Sequence, residues 1–88
     1  MTDSIKSPAT VLGCGGWGTA LAVHLASTGR PVRLWGRDQV LISRLTENRI
    51  NSVYLPDVVL PELVQPMGSI RTALSGARYV VIAVPSHG

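Results

Sequence analysis

Val11-Leu12-Gly13-Cys14-Gly15-Gly16-Trp17-Gly18-Thr19-Ala20 is an apolar strand that runs into G-x-G-x-x-G and on into a stretch of small, helix-forming residues. Strand, glycine turn and helix in that order are the fingerprint of a dinucleotide-binding βα unit. Gly13 lets the chain turn off the strand, Gly15 lets backbone approach a diphosphate, and Gly18 lets the helix pack close to the strand. The N-terminus of that helix offers N–H groups and a partial positive charge to phosphate oxygens.

The 88 residues are 45% apolar and 15% charged, the balance of one small globular domain. No apolar run approaches the roughly 20 residues of a membrane-spanning helix, so membrane insertion is not expected. Residues 1–8 are short and polar, without a secretory core. They read as a flexible lead-in to a domain over 9–88, and the expected location is cytoplasmic. Cys14 is the single cysteine, which rules out an internal disulfide. Inside the glycine motif it is either a reactive thiol at a helix N-terminus or a small buried residue filling a tight turn. The net charge of +3 comes from Lys6 and seven dispersed arginines against five acids. Nucleic-acid binding asks for a clustered basic stripe with interleaved aromatics, so it is not expected here. Most of the arginines read as solvated surface, with Arg37 set apart.

Further along, the pattern predicts a strand at Ala9–Leu12 and a helix from about Trp17 to Thr28, its apolar face formed by Leu21 and Leu25 with Ala22 and Ala26. Gly29 stops this helix, and a second strand follows at Pro31–Trp35. Asp38 can cap a second helix reaching about Asn48 on Leu41, Ile42 and Leu45. Pro56, Pro61 and Pro66 argue against a helix between Asn51 and Gly68, where Leu63-Val64-Gln65 can form a short strand. Ser69 caps a brief helix that Gly76 ends. Tyr79–Val84 is a continuous apolar run, the mark of a strand covered on both faces. The order βαβα(β)αβ is the N-terminal half of a Rossmann-type, doubly wound parallel α/β sheet. No following helix is present to cover the last strand, so the chain reads as a truncated piece of a longer protein. Its uncovered edge invites association and leaves a homodimer open.

At the end of the second strand, sites that prefer NAD(H) place an acid against the ribose 2′-hydroxyl. Here that corner is Leu34-Trp35-Gly36-Arg37-Asp38. A guanidinium at Arg37 can pair with a 2′-phosphate through two parallel bonds, which favours NADP(H). NAD(H) stays possible if the Asp38 carboxylate faces the ribose instead of capping the helix. Trp17 either covers the diphosphate and nicotinamide side of the cleft or packs on the neighbouring loop. His24 has no ligand partner one turn away and reads as a surface residue. Ser86, after the last strand, either contacts the cofactor or caps a further helix.

These residues resemble a known family. Gly13 to Ala22 is similar to the GxGxWGTALA signature of NAD(P)-dependent glycerol-3-phosphate dehydrogenases. Leu34–Asp38 (LWGRD), Asn51–Pro56 (N-x-x-Tyr-Leu-Pro) and Ala83–Ser86 (AVPS) agree in order. The resemblance implies reduction of dihydroxyacetone phosphate to sn-glycerol 3-phosphate, the entry to glycerophospholipid synthesis. It implies cofactor contacts from Gly16, Trp17, Arg37 and Tyr54, beside Gly13, Gly15 and Gly18 of the motif. It also implies that the catalytic lysines and an all-helical substrate domain come after Gly88, and no residue here matches a catalytic position. The chain departs from the family in carrying Cys14 and Gly16 where Ala and Ser are common. A Ser hydroxyl at 16 would add one phosphate hydrogen bond, on the order of 1 kcal/mol. The same residues also fit a different NAD(P)-dependent dehydrogenase of the same architecture, or a non-catalytic nucleotide-binding module.

Overall fold

The computed structural model describes residues 7–83. Most of the expected lead-in (residues 1–6), Val84 and the Pro85–Gly88 turn with Ser86 lie outside the described residues. In chain order the elements are β1 (Ala9–Leu12), α1 (Gly16–Ser27), β2 (Val32–Trp35), α2 (Gln39–Asn48), β3 (Ile50–Asn51), β4 (Leu55–Val59), β5 (Val64–Met67), α3 (Ile70–Leu74) and β6 (Tyr79–Ile82). Four strands form one parallel sheet in the order β5-β2-β1-β6. Both faces carry helices. Thr10 donates its hydroxyl to the Ala73 carbonyl of α3, while Val11, on the opposite face of β1, shares a core with Ala22 and Ala26 of α1.

Small residues set how α1 packs. Gly18, Thr19, Ala22 and Ala26 are its buried positions, and Leu21 and Leu25 flank them half-buried. The expected apolar face is therefore rotated toward its smaller members, because only short side chains allow the close approach to the sheet. Leu34 of β2 and Leu45 of α2 are fully buried and anchor the core, each stabilising the fold by roughly 1.5–3 kcal/mol. Asp38 caps α2, its carboxylate accepting from the Val40 and Leu41 amides at 3.0 and 3.2 Å. Ser69 caps α3 through the Thr72 amide at 3.3 Å.

Between α2 and β5 the structure departs from the expected irregular segment. β3 and β4 pair antiparallel as a two-stranded ribbon. Pro56 is compatible with it because a ribbon of two strands leaves each strand an outer edge that needs no amide donor. The third parallel strand is Val64–Met67, not Leu63–Gln65, and accommodates Pro66 because β5 is an edge strand.

Three arginines expected as solvated surface are tied to the fold instead. Arg49 ends α2 in the left-handed region (φ 60°) and donates to the carbonyls of Pro61 and Val64 at 2.6 and 2.7 Å. Arg33 reaches the Ala73 and Ser75 carbonyls at the end of α3. Arg30 donates to the Ser7 carbonyl and stacks 4.8 Å above the Tyr79 ring. β6 also differs from expectation: its apolar run is not covered on both faces by the described residues, with Val80 46% and Ile82 69% exposed.

Candidate dinucleotide-binding site

In the strand order β5-β2-β1-β6, β1 is followed in sequence by its neighbour on one side, and the neighbour on the other side comes last. That reversal is the switch point of a doubly wound sheet, and a crevice opens outside the carboxyl ends of its strands. A cavity of about 970 Å³ lies there, at the upper end of the roughly 300–1,000 Å³ span of small-molecule sites. Gly13 to Trp17 after β1, Arg37 and Asp38 after β2, and Ala83 after β6 all face it. Arg44 on α2 and Val53 and Tyr54 beyond β3 also line it.

The glycines differ in what they do. Gly13 turns the chain at φ 120°, a conformation that favours glycine, and its amide donates to the Trp35 carbonyl at 2.8 Å. A Cβ on Gly18 would lie 1.8 Å from the Gly13 carbonyl oxygen, so this glycine is required by helix–strand contact. A Cβ on Gly15 would meet nothing within 4 Å, which leaves the loop open on the cavity side for a ligand to approach backbone. At Gly16 a Cβ would lie 3.3 Å from the Tyr54 carbonyl oxygen. Glycine at position 16 thus lets the 53–54 turn sit close to the start of α1.

Arg37 and Asp38 are both exposed and line the cavity, and Asp38 in addition caps the start of α2. Trp17 is 68% exposed, so it is not buried as apolar cover on a neighbouring loop. Tyr54 is also exposed on the cavity wall. Of the seven residues singled out at the site, Gly13, Gly15, Gly16, Trp17, Arg37 and Tyr54 line one crevice, and Gly18 is buried against the backbone of Gly13. His24 lies on the exposed side of α1, away from that wall.

Cys14 is buried, and burial foremost, together with the Asp38 carboxylate, pushes its thiol above the ordinary value despite an opposing backbone hydrogen bond. It is therefore a neutral packing group at neutral pH, not an activated thiolate. Its Sγ occupies the space that a Cβ on Gly36 would enter, at 2.1 Å, so Cys14 and Gly36 are matched in size.

Two polar residues at the site have roles that the sequence did not assign. Arg44, one turn beyond Val40, adds a second guanidinium to the cavity wall. Asn51 is fully buried. Its side-chain amide donates to the Cys14 carbonyl and the Thr19 hydroxyl, each at 2.8 Å, and its oxygen accepts from the Tyr54 amide at 3.2 Å. In the sequence Asn51 opens the N-x-x-Tyr-Leu-Pro segment, and an Asn three residues before Tyr54 has the spacing of a local side-chain turn.

Residues 8–88 match the family model described as NAD-dependent glycerol-3-phosphate dehydrogenase N-terminus. The chain belongs to that family. Among curated members, the glycerol-3-phosphate dehydrogenase [NAD(P)+] of Desulfotalea psychrophila is 49% identical over 77 residues, 88% of this chain and 23% of that protein. The protein of the same name from Pasteurella multocida is 44% identical over 86 residues, 98% of this chain and 26% of its own. The chain therefore spans about a quarter of the length of these relatives. Among solved structures, the glycerol-3-phosphate dehydrogenase of Coxiella burnetii superposes with a TM-score of 0.89 at 37% identity, covering 92% of this chain and 25% of that one. Among the described residues no helix is long and apolar enough to cross a membrane.

Proposed function

We propose that this chain is the cofactor-binding domain of a cytoplasmic glycerol-3-phosphate dehydrogenase that uses NADPH in preference to NADH. The amides that open α1 would hold the diphosphate, with Gly15 giving it access. Trp17 and Tyr54 would cover it from the cavity rim. Arg37 would pair with the 2′-phosphate.

One observation carries the cofactor preference. Arg37 and Asp38 both face the cavity, but one Asp38 carboxylate oxygen already accepts from the Val40 and Leu41 amides as the cap of α2, whereas the Arg37 guanidinium has no such task. The donor set suits a dianionic phosphate better than a neutral hydroxyl. When bound, the reduced nicotinamide supplies the hydride that adds to a ketone carbon, and a proton completes the alcohol. This domain's part is to hold that donor in place and in one orientation. The groups that polarise the ketone belong to a second domain, the helical one that the family resemblance implies.

The test is a turnover assay on the intact protein. Addition of dihydroxyacetone phosphate should start oxidation of NADPH, and NADH should support a slower reaction at equal concentration. Absence of turnover with dihydroxyacetone phosphate, or turnover with another carbonyl substrate instead, overturns the assignment.

A further inference from the structure

Among the described residues Asn51 is the one fully buried residue with a side-chain amide, and two of its three hydrogen bonds reach residues 37 and 32 positions away. The Cys14 carbonyl receives two donors, Asn51 Nδ2 at 2.8 Å and Thr19 Oγ1 at 3.2 Å. Thr19 lies one residue past Gly18, and its own amide donates to the Gly15 carbonyl at 2.9 Å. The glycine loop is thus held from the inside by a side chain arriving from β3.

The peptide linking Cys14 to Gly15 is trans, as are all the described peptide bonds. In a trans peptide the carbonyl and the following N–H lie on opposite edges of one rigid plane. Fixing the Cys14 oxygen inward therefore fixes the Gly15 N–H on the other edge, away from Asn51. If that plane turned over, a carbonyl oxygen would face the phosphates where a donor is needed, exchanging attraction for repulsion. Glycine on one side of the bond makes such a turn cheap unless something prevents it. Asn51 also accepts from the Tyr54 amide, so the same side chain sets the turn that closes over Gly16.

Resting on the cofactor reading above, we propose that Asn51, with Thr19, is a positioning residue for the diphosphate. It keeps the Cys14–Gly15 peptide in the orientation that presents an N–H, and no carbonyl, to the cofactor. Asn51 does not touch the cofactor itself. Its action is confined to the diphosphate end, because Arg37 and the 2′-phosphate corner are built by other residues.

The experiment compares two ligands on the intact protein: NADPH, which has the diphosphate, and 2′-AMP, which lacks it but keeps the 2′-phosphate. Asn51→Leu removes all three bonds at similar volume. It should weaken NADPH about tenfold or more, the effect of losing charge-directed donors, and leave 2′-AMP within about twofold, a difference of less than 0.5 kcal/mol. Thr19→Val keeps the fold's volume and removes one of the two donors to Cys14, so it should show a smaller loss, about threefold, of the same selectivity. This variant decides the question if Asn51→Leu does not fold. Unchanged NADPH binding in the folded variant, or an equal loss of both ligands, overturns the proposal. If the unsubstituted protein binds neither ligand, the fault lies with the cofactor reading itself.

Discussion

Gly18→Ala is expected to destabilise the protein by about 3 kcal/mol or more, the upper end of what overpacking costs. The added Cβ would lie 1.8 Å from the Gly13 carbonyl oxygen and 2.9 Å from its carbon. These are backbone atoms at the exit of β1, and Gly13 is pinned by its 2.8 Å bond to Trp35. Relief would require α1 to move off the sheet or β1 to give up its pairing. Against a total stability of about 5–15 kcal/mol, this is a large fraction. Gly15→Ala provides the contrast, since its Cβ enters open space and its backbone (φ −71°) suits any residue. Its stability should stay within about 0.5 kcal/mol, while NADPH binding falls because the methyl group stands where the diphosphate approaches. Denaturant unfolding of both variants, read at the transition midpoint, checks the pair. A Gly18→Ala protein as stable as the parent contradicts the close helix–strand contact on which the site is built.

Arg37→Ala is expected to erase the preference for NADPH. A guanidinium paired with a phosphate makes charge-assisted bonds worth about 1.5–3 kcal/mol, so NADPH should bind roughly 10–100-fold more weakly. NADH, which has no 2′-phosphate, should change by no more than about twofold. Arg37→Lys should recover part of the loss, since it returns the charge without the two-pronged geometry. Because Arg37 is exposed, the discrimination should also shrink as salt is raised. Titration of each variant with both cofactors measures all of this. Equal weakening of the two would mean that Arg37 supports the corner of β2 in general and reads no phosphate.

The part of the site that could be read from the sequence is the part built by neighbours along the chain. β1, the glycine turn and α1 follow from residue order because the contact between Gly13 and Gly18 spans five positions. Asp38 and Ser69 as caps are likewise local, each accepting from amides two or three residues on. The exposed position of Arg37 follows from the end of β2. What escaped depends on residues that only the fold brings together. Asn51 meets Cys14 and Thr19 across 37 and 32 positions, a distance over which hydropathy patterning carries no information. Arg33 finds its carbonyl partners 40 and 42 residues away, so its charge alone suggested surface. The β3–β4 ribbon was hidden by Pro56 within it and by a first strand of only two residues. At β6 the apolar run identified a sheet strand correctly but not its exposure, because coverage is supplied by other elements and not by the strand itself.

The start of α1 is where the cofactor's diphosphate is expected to sit. Amide spectra of the isotope-labelled intact protein, recorded while NADPH is added, can locate it. The largest shifts should fall on Gly15, Gly16 and Trp17, with a second set at Arg37 and Asp38 that NADH does not reproduce. Shifts that leave these amides still and gather instead around Leu25, Arg30 and Tyr79, where a second and smaller hollow lies, would contradict it.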